Sequence, residues 1–149
     1  GVRSRARGAV RGGALHVSRG VFARRARVLR GLGGWAAGRD RRALALLRTQ
    51  NPACHFLVVP DDADGALAEL PLDAAAVFVQ GNAEFPEQDQ ALRRACRNHI
   101  SANSSFSWWA AWLGYSAGQM VIAPTPWYAS PKLDARDLAV DRWQYISRV

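Results

Sequence analysis

Residues 96–114 read Cys-Arg-Asn-His-Ile-Ser-Ala-Asn-Ser-Ser-Phe-Ser-Trp-Trp-Ala-Ala-Trp-Leu-Gly. The stretch divides into three parts. His99 to Ala102 is a short apolar strand, Asn103-Ser104 a polar turn, and Ser105 to Leu113 a helix closed by Gly114. In that helix Phe106, Trp109, Ala110 and Leu113 fall at i, i+3, i+4 and i+7, so they are expected to face the core. Trp108 and Trp112 make a second aromatic stripe. Indoles this dense also suit the stacking of a sugar ring, but their helical spacing favours packing.

Outward from this unit the same alternation recurs. Upstream, His55 to Val59 is an apolar run that ends at Pro60-Asp61-Asp62, and Ala76 to Val79 is another that ends at Gln80-Gly81-Asn82. Ala63–Leu70 and Glu87–Arg97 carry helical spacing, the second with Ala91, Leu92, Ala95 and Cys96 on one face. Downstream, Met120 to Ala123 is a strand stopped by Pro124 and Pro126, and the tail from Ala135 is expected to be helical if ordered at all. Arg41 to Thr49 reads as an amphipathic helix and Ala14 to Val17 as a short strand. Strands and helices in this order predict an α/β fold, a Rossmann-like parallel sheet. Ligands of such sheets sit beyond the C-terminal ends of the strands. That places Asp61, Asp62, Gly81, Asn82, Asn103, Ser104, Ser105 and the Pro124–Trp127 segment on one rim.

At this rim the chemistry is suited to phosphate. A helix start carries unpaired N–H groups and partial positive charge, so Ser104 and Ser105 can hold an anion, cap the helix, or do both. Asp61 and Asp62 read equally well as a solvated turn. The chain has neither GxGxxG nor a P-loop, so the dinucleotide and NTP-hydrolase readings have no positive support.

Charge is distributed unevenly. Residues 1–50 hold thirteen Arg and one acid, Asp40, a net of +12; residues 51–149 hold seven basic and eleven acidic residues, a net of −4. Two domains follow from this split: an Arg-rich, partly disordered region 1–50 and a Rossmann-like domain 51–149. The arm suits an anionic partner, or is only a compositional extension. With the remainder acidic and lacking any nucleic-acid motif, no nucleic acid is expected. Cys54 and Cys96 are read as buried thiols; with His55 and His99 they match no zinc-ligand spacing, and no metal is expected. No run of about 18 apolar residues is present, no signal-peptide pattern opens the chain, and the lone Met is Met120, so the sequence is read as part of a longer protein.

The run from Cys96 to Leu113 resembles the C-terminal signature of the α-1,2-fucosyltransferases of glycosyltransferase family 11. Val121-Ile122-Ala123-Pro124-Thr125-Pro126-Trp127-Tyr128 is similar to that family's VIAP-x-x-W-aromatic segment, and Phe56 to Asp62 to its F-x-x-F-S-D-D strand end, with Pro60 for Ser. Asn82 and Asp89 lie where the family keeps an Asn and an acid. Residues 15–22, Leu-His-Val-Ser-Arg-Gly-Val-Phe, resemble H-V-R-R-G-D-Y, but Ser18 replaces the first Arg and Val21 the Asp.

The resemblance implies the C-terminal half of a GT-B glycosyltransferase that moves L-fucose from GDP-fucose to the 2-hydroxyl of a β-galactoside, with inversion and without a metal or other cofactor. It implies Arg19 as the catalytic contact to the diphosphate, and His16, Arg19, Asp61, Asp62, Asn82, Asn103, Ser104, Ser105 and Phe106 as donor-binding residues. The partners are then GDP-fucose, a galactose-containing glycan acceptor and, peripherally, a membrane: the bacterial cytoplasmic face or the eukaryotic Golgi. The departures at Ser18 and Val21 support an alternative, a catalytically impaired pseudoenzyme or truncated nucleotide-sugar-binding domain.

Overall fold

The computed structural model describes residues 14–18 (as backbone), 37–59, 76–79 and 85–148. Six strands, β1 (Ala14–Ser18), β2 (His55–Val59), β3 (Ala76–Phe78), β4 (Asn98–Ile100), β5 (Val121–Thr125) and β6 (Gln144–Ser147), form one sheet in the order β3-β2-β1-β4-β5-β6. Every neighbouring pair is parallel. The chain builds outward from β1 to β3 on one side, then crosses back to start β4 on the other. The order therefore reverses between β1 and β4, where open α/β sheets bind their ligands.

Helix α1 (Ala37–Gln50) starts one turn earlier than its apolar spacing suggests and buries Ala43, Leu44 and Leu47. Asp40 in its first turn and Arg48 in its last both complement the helix dipole. With Phe56 and Val58 of β2, Ile100 of β4 and Ile122 of β5, the helix closes an aliphatic core. Residues next to these along the strands, His99, Val121 and Ala123, point to the opposite face, as the two-residue strand period requires. There α2 (Pro86–Arg94) and α3 (Ser105–Leu113) lie side by side. Gly114 permits that approach: a Cβ on it would fall 2.7 Å from the Arg94 carbonyl oxygen.

Both β1, in the middle of the sheet, and α1 fall within the first 50 residues, so the sheet draws on the Arg-rich third as well. Residues 1–13 and 19–36, the rest of that region, and the Ala63–Leu70 helix expectation lie outside the described residues.

Three expectations need correcting. In α3 the buried residues are Ser107, Trp108, Ala110 and Ala111, whereas Phe106, Trp109 and Leu113 are exposed. The core stripe is rotated because Trp108 packs on Trp143, at 5.7 Å between ring centroids, and its Nε1 donates to the Leu138 carbonyl at 2.9 Å. In α2 the inward residue is Arg93, not Ala91 or Leu92, since the neighbouring α3 offers it a hydroxyl and an aromatic ring. The tail is not helical beyond the single 3-10 turn Arg136–Leu138. Val140 and Trp143 anchor it against α3, and β6 then pairs with β5 from Ile122↔Gln144 to Thr125↔Ser147.

Candidate functional site

The register of β1 against β4, Leu15↔Asn98 to Val17↔Ile100, carried one step further sets Ser18 level with Ser101. The turn Ala102-Asn103-Ser104 follows at once, and α3 begins at Ser105. The polar half of the signature therefore stands at the switch point, beside the end of β1. Asn103 and Ser104 are half-buried, Ser105 and Phe106 exposed. Ser104 is the N-cap by position, with extended backbone (φ −125°, ψ 129°), yet its side chain makes no capping hydrogen bond. The hydroxyl is not committed to the helix, and the first turn of any helix has N–H groups that lack intrahelical acceptors. An anion at this point would meet both.

The turn is held from below and from the side. Arg93, 5% exposed, donates from Nη1 to Ser107 Oγ at 3.2 Å, and its guanidinium lies 4.9 Å from the Phe106 ring centroid. Phe106 is thus fixed by a cation–π contact rather than by core packing. His99 is fully buried in β4, and its Nε2 donates to the Cys96 carbonyl at 3.1 Å. Burial pushes the His99 pKa down to about 4; the Cys96 carbonyl opposes that shift and the charge of Arg93 adds to it. His99 is therefore neutral at pH 7. Cys96, also buried, has its thiol pushed up to about 12 by desolvation, with Arg93 pulling the other way.

On the α1 side, arginines fasten the ends of the strands. Arg39 forms an ion pair with Asp40, the two being 4% and 0% exposed, and donates from Nη1 to the Ser101 carbonyl at 2.6 Å. Arg42 Nη2 donates to the Ser147 carbonyl at 2.6 Å, and Arg148 Nη1 to the Trp127 carbonyl at 3.2 Å. Burial and the nearby charge of Arg39 both lower the Arg148 pKa. These contacts tie α1 to the ends of β4 and β6, and the end of β6 to the loop after β5. Farther along the rim, a cleft of about 310 Å3 opens between Pro124–Trp127 and the Arg136–Tyr145 side.

Of the residues expected at the site, Asn103, Ser104, Ser105 and Phe106 are brought together in one turn, and His16 lies on β1, paired in register with His99. Arg19, Asp61, Asp62 and Asn82 lie outside the described residues, although Arg19 directly follows β1 in the chain and Asp61 follows β2 by two residues. Arg39, Asp40, Arg93 and His99 were not foreseen. A signal existed for one of them: Asp40, fully buried, is the single acid alongside the thirteen arginines of residues 1–50.

The sequence matches Glycosyl transferase family 11 over residues 15–147, which takes in the six described strands from the second residue of β1 onward and the turn at the switch point. The chain belongs to glycosyl transferase family 11. An Alpha-1,2-colitosyltransferase of Escherichia coli is 43% identical over 72 residues, 48% of this chain and 24% of that protein. The O-antigen biosynthesis glycosyltransferase WbnK of Escherichia coli is 37% identical over 60 residues, 40% of this chain and 19% of that protein. The matched segments thus span a quarter or less of these family 11 relatives. No solved structure matches the chain.

Proposed function

We propose that this chain is the donor-binding part of an α-1,2-fucosyltransferase of GT-B type, moving L-fucose from GDP-fucose to the 2-hydroxyl of a β-galactoside. The observation that carries the reading is the Asn103-Ser104-Ser105 turn at the switch point, with the Ser104 hydroxyl not used as a cap. On this reading Ser104, Ser105 and the first N–H groups of α3 hold a donor phosphate. Arg19, next after the end of β1, takes up the charge that builds on the leaving diphosphate. His16, Asp61, Asp62, Asn82, Asn103 and Phe106 complete the donor contacts. No metal or other cofactor is required, because guanidinium and helix-start N–H groups supply the positive charge. The enzyme attaches peripherally to a membrane that carries its acceptor.

A second reading has specific support. The relative that is 43% identical is named for colitosyl transfer, so the sugar moved can be colitose rather than fucose, with the same α-1,2 linkage. A third follows from Ser18 and Val21: a nucleotide-sugar-binding domain that lacks turnover.

Transfer from GDP-fucose to a β-galactoside by the intact protein, with the product linkage read by NMR and with chelator added, separates these readings. The expected result is an α-1,2-fucosylated product whose yield the chelator leaves unchanged. Transfer only from a colitosyl donor selects the second reading, and GDP binding without product the third. Absence of GDP binding overturns all three.

A further inference from the structure

Helix α3 turns its polar start to the donor rim and an uncovered aromatic surface outward. Trp109, Trp112 and Leu113, at i, i+3 and i+4, are 49%, 40% and 51% exposed, and Tyr115 beyond the helix end is 61% exposed. They form one surface. The Arg142 guanidinium sits 4.7 Å from the Trp112 ring centroid and 4.6 Å from that of Tyr115, joining the helix to the loop after it. Single exposed apolar residues are ordinary on a protein surface, but a contiguous group of this size marks a contact.

Its chemistry selects the partner. Trp and Tyr are amphipathic side chains that settle at the boundary between lipid headgroups and acyl chains. The charges beside them are largely cationic. In the loop after the helix, Arg97 Nη2 lies 3.3 Å from where a Cβ would stand on Gly118. With Arg142 it makes two guanidiniums, against Asp141 as the acid next to Arg142. Glu87 and Asp89 belong to the first turn of α2, at the end toward the donor rim.

Orientation agrees with this. Both α2 and α3 follow parallel strands and run back along the sheet, so Arg94, Leu113 and Tyr115 lie at the edge opposite the donor rim. A membrane at the aromatic edge leaves the switch point facing away from the lipid.

We infer that Trp109, Trp112, Leu113 and Tyr115, with Arg97 and Arg142, form a docking surface for an anionic lipid bilayer. The inference rests on the membrane attachment proposed above and names the surface that makes it. It is tested with the full chain and vesicles of phosphatidylcholine with or without phosphatidylglycerol, read by flotation, with GDP binding followed on the same samples. The chain is expected to float with the phosphatidylglycerol vesicles and to be released by salt. Trp109→Gln combined with Leu113→Gln is expected to weaken partitioning at least about tenfold, as large apolar groups no longer enter the interface. Arg142→Gln, which leaves the apolar groups in place, is expected to weaken it about fivefold. GDP affinity stays unchanged in both. Vesicle binding equal to wild type in both variants assigns the attachment to other residues and overturns the inference. So does a concentration-dependent dimer that the double substitution abolishes, since the surface then serves a second copy. Loss of GDP binding in the unsubstituted chain strikes the donor reading and leaves this one standing.

Discussion

The two faces of the sheet are packed by different chemistry. Beneath α1 the core is mainly aliphatic: Ala43, Leu44, Leu47, Phe56, Val58, Ile100 and Ile122. Beneath α2 and α3 it is built from Trp108, Trp127, Trp143 and small residues, with His99, Arg93 and Ser107 buried among the helices. An aliphatic layer stabilises in proportion to the area it removes from water and has few directional demands. Indoles, guanidiniums and imidazoles have to be oriented to satisfy their polar atoms. The face that carries the Ser104 turn is therefore the oriented one. Stability and donor binding are expected to be separable on the α1 face and coupled on the α3 face.

The largest effect should come from the aliphatic layer. Phe56→Ala leaves a cavity under α1 and is expected to cost about 3–5 kcal/mol in urea unfolding. GDP affinity of the molecules that remain folded should be unchanged; a parallel fall in affinity would erase the contrast between the faces.

Next in size is a pH effect that belongs to the α3 face. His99 has a folded pKa of about 4 against 6.5 for the ordinary side chain. Above pH 6.5 both states hold it neutral and it contributes no pH dependence. As pH falls from 6.5 towards 4 the unfolded chain takes up a proton that the folded chain refuses, so stability drops, by roughly 3 kcal/mol at most. Urea unfolding across this range measures the slope, and His99→Phe should flatten it. A slope that persists in the variant assigns it to other groups.

A smaller coupled effect is expected at Trp108. Trp108→Phe keeps an aromatic ring against Trp143 but leaves the Leu138 carbonyl without its 2.9 Å donor, at a cost of about 1–3 kcal/mol. Trp108 lies in the first turn of α3 and its backbone N–H bonds the Ser104 carbonyl, so any shift of the helix start as the ring resettles should lower GDP affinity as well. Calorimetry showing lost stability with intact affinity would sharpen the contrast by placing the coupling elsewhere.

The same division explains how much could be read in advance. Strands β2 and β3 and the bounds of α3 followed from apolar runs and from Gly114, because burial in a parallel sheet leaves a continuous hydrophobic signature. The inward face of α3 did not. Helical spacing offered two aromatic stripes, and the choice between them was made by Val140 and Trp143, far along the chain from the helix. Strand β6 left little trace, since at the sheet edge only Ile146 of its residues is even half-buried. At the site, Ser104 and Ser105 were legible because a strand–turn–helix junction is a local pattern. Arg93 and Arg39 were not, because their partners, Ser107 and Phe106 for one and the Ser101 carbonyl for the other, come from different elements.

What remains is the turn itself. Calorimetric titration of GDP into the wild-type chain and the Ser104→Ala/Ser105→Ala variant tests the central claim directly. An N-cap Ser replaced by Ala ordinarily costs about 0.5–2 kcal/mol of stability, but here the side chain makes no cap bond, so the thermal midpoint should barely move. Hydrogen bonds to a charged phosphate are worth about 1.5–3 kcal/mol each, so GDP affinity should fall at least about tenfold. Equal affinity in the two proteins would contradict the placement of the donor phosphate at the start of α3.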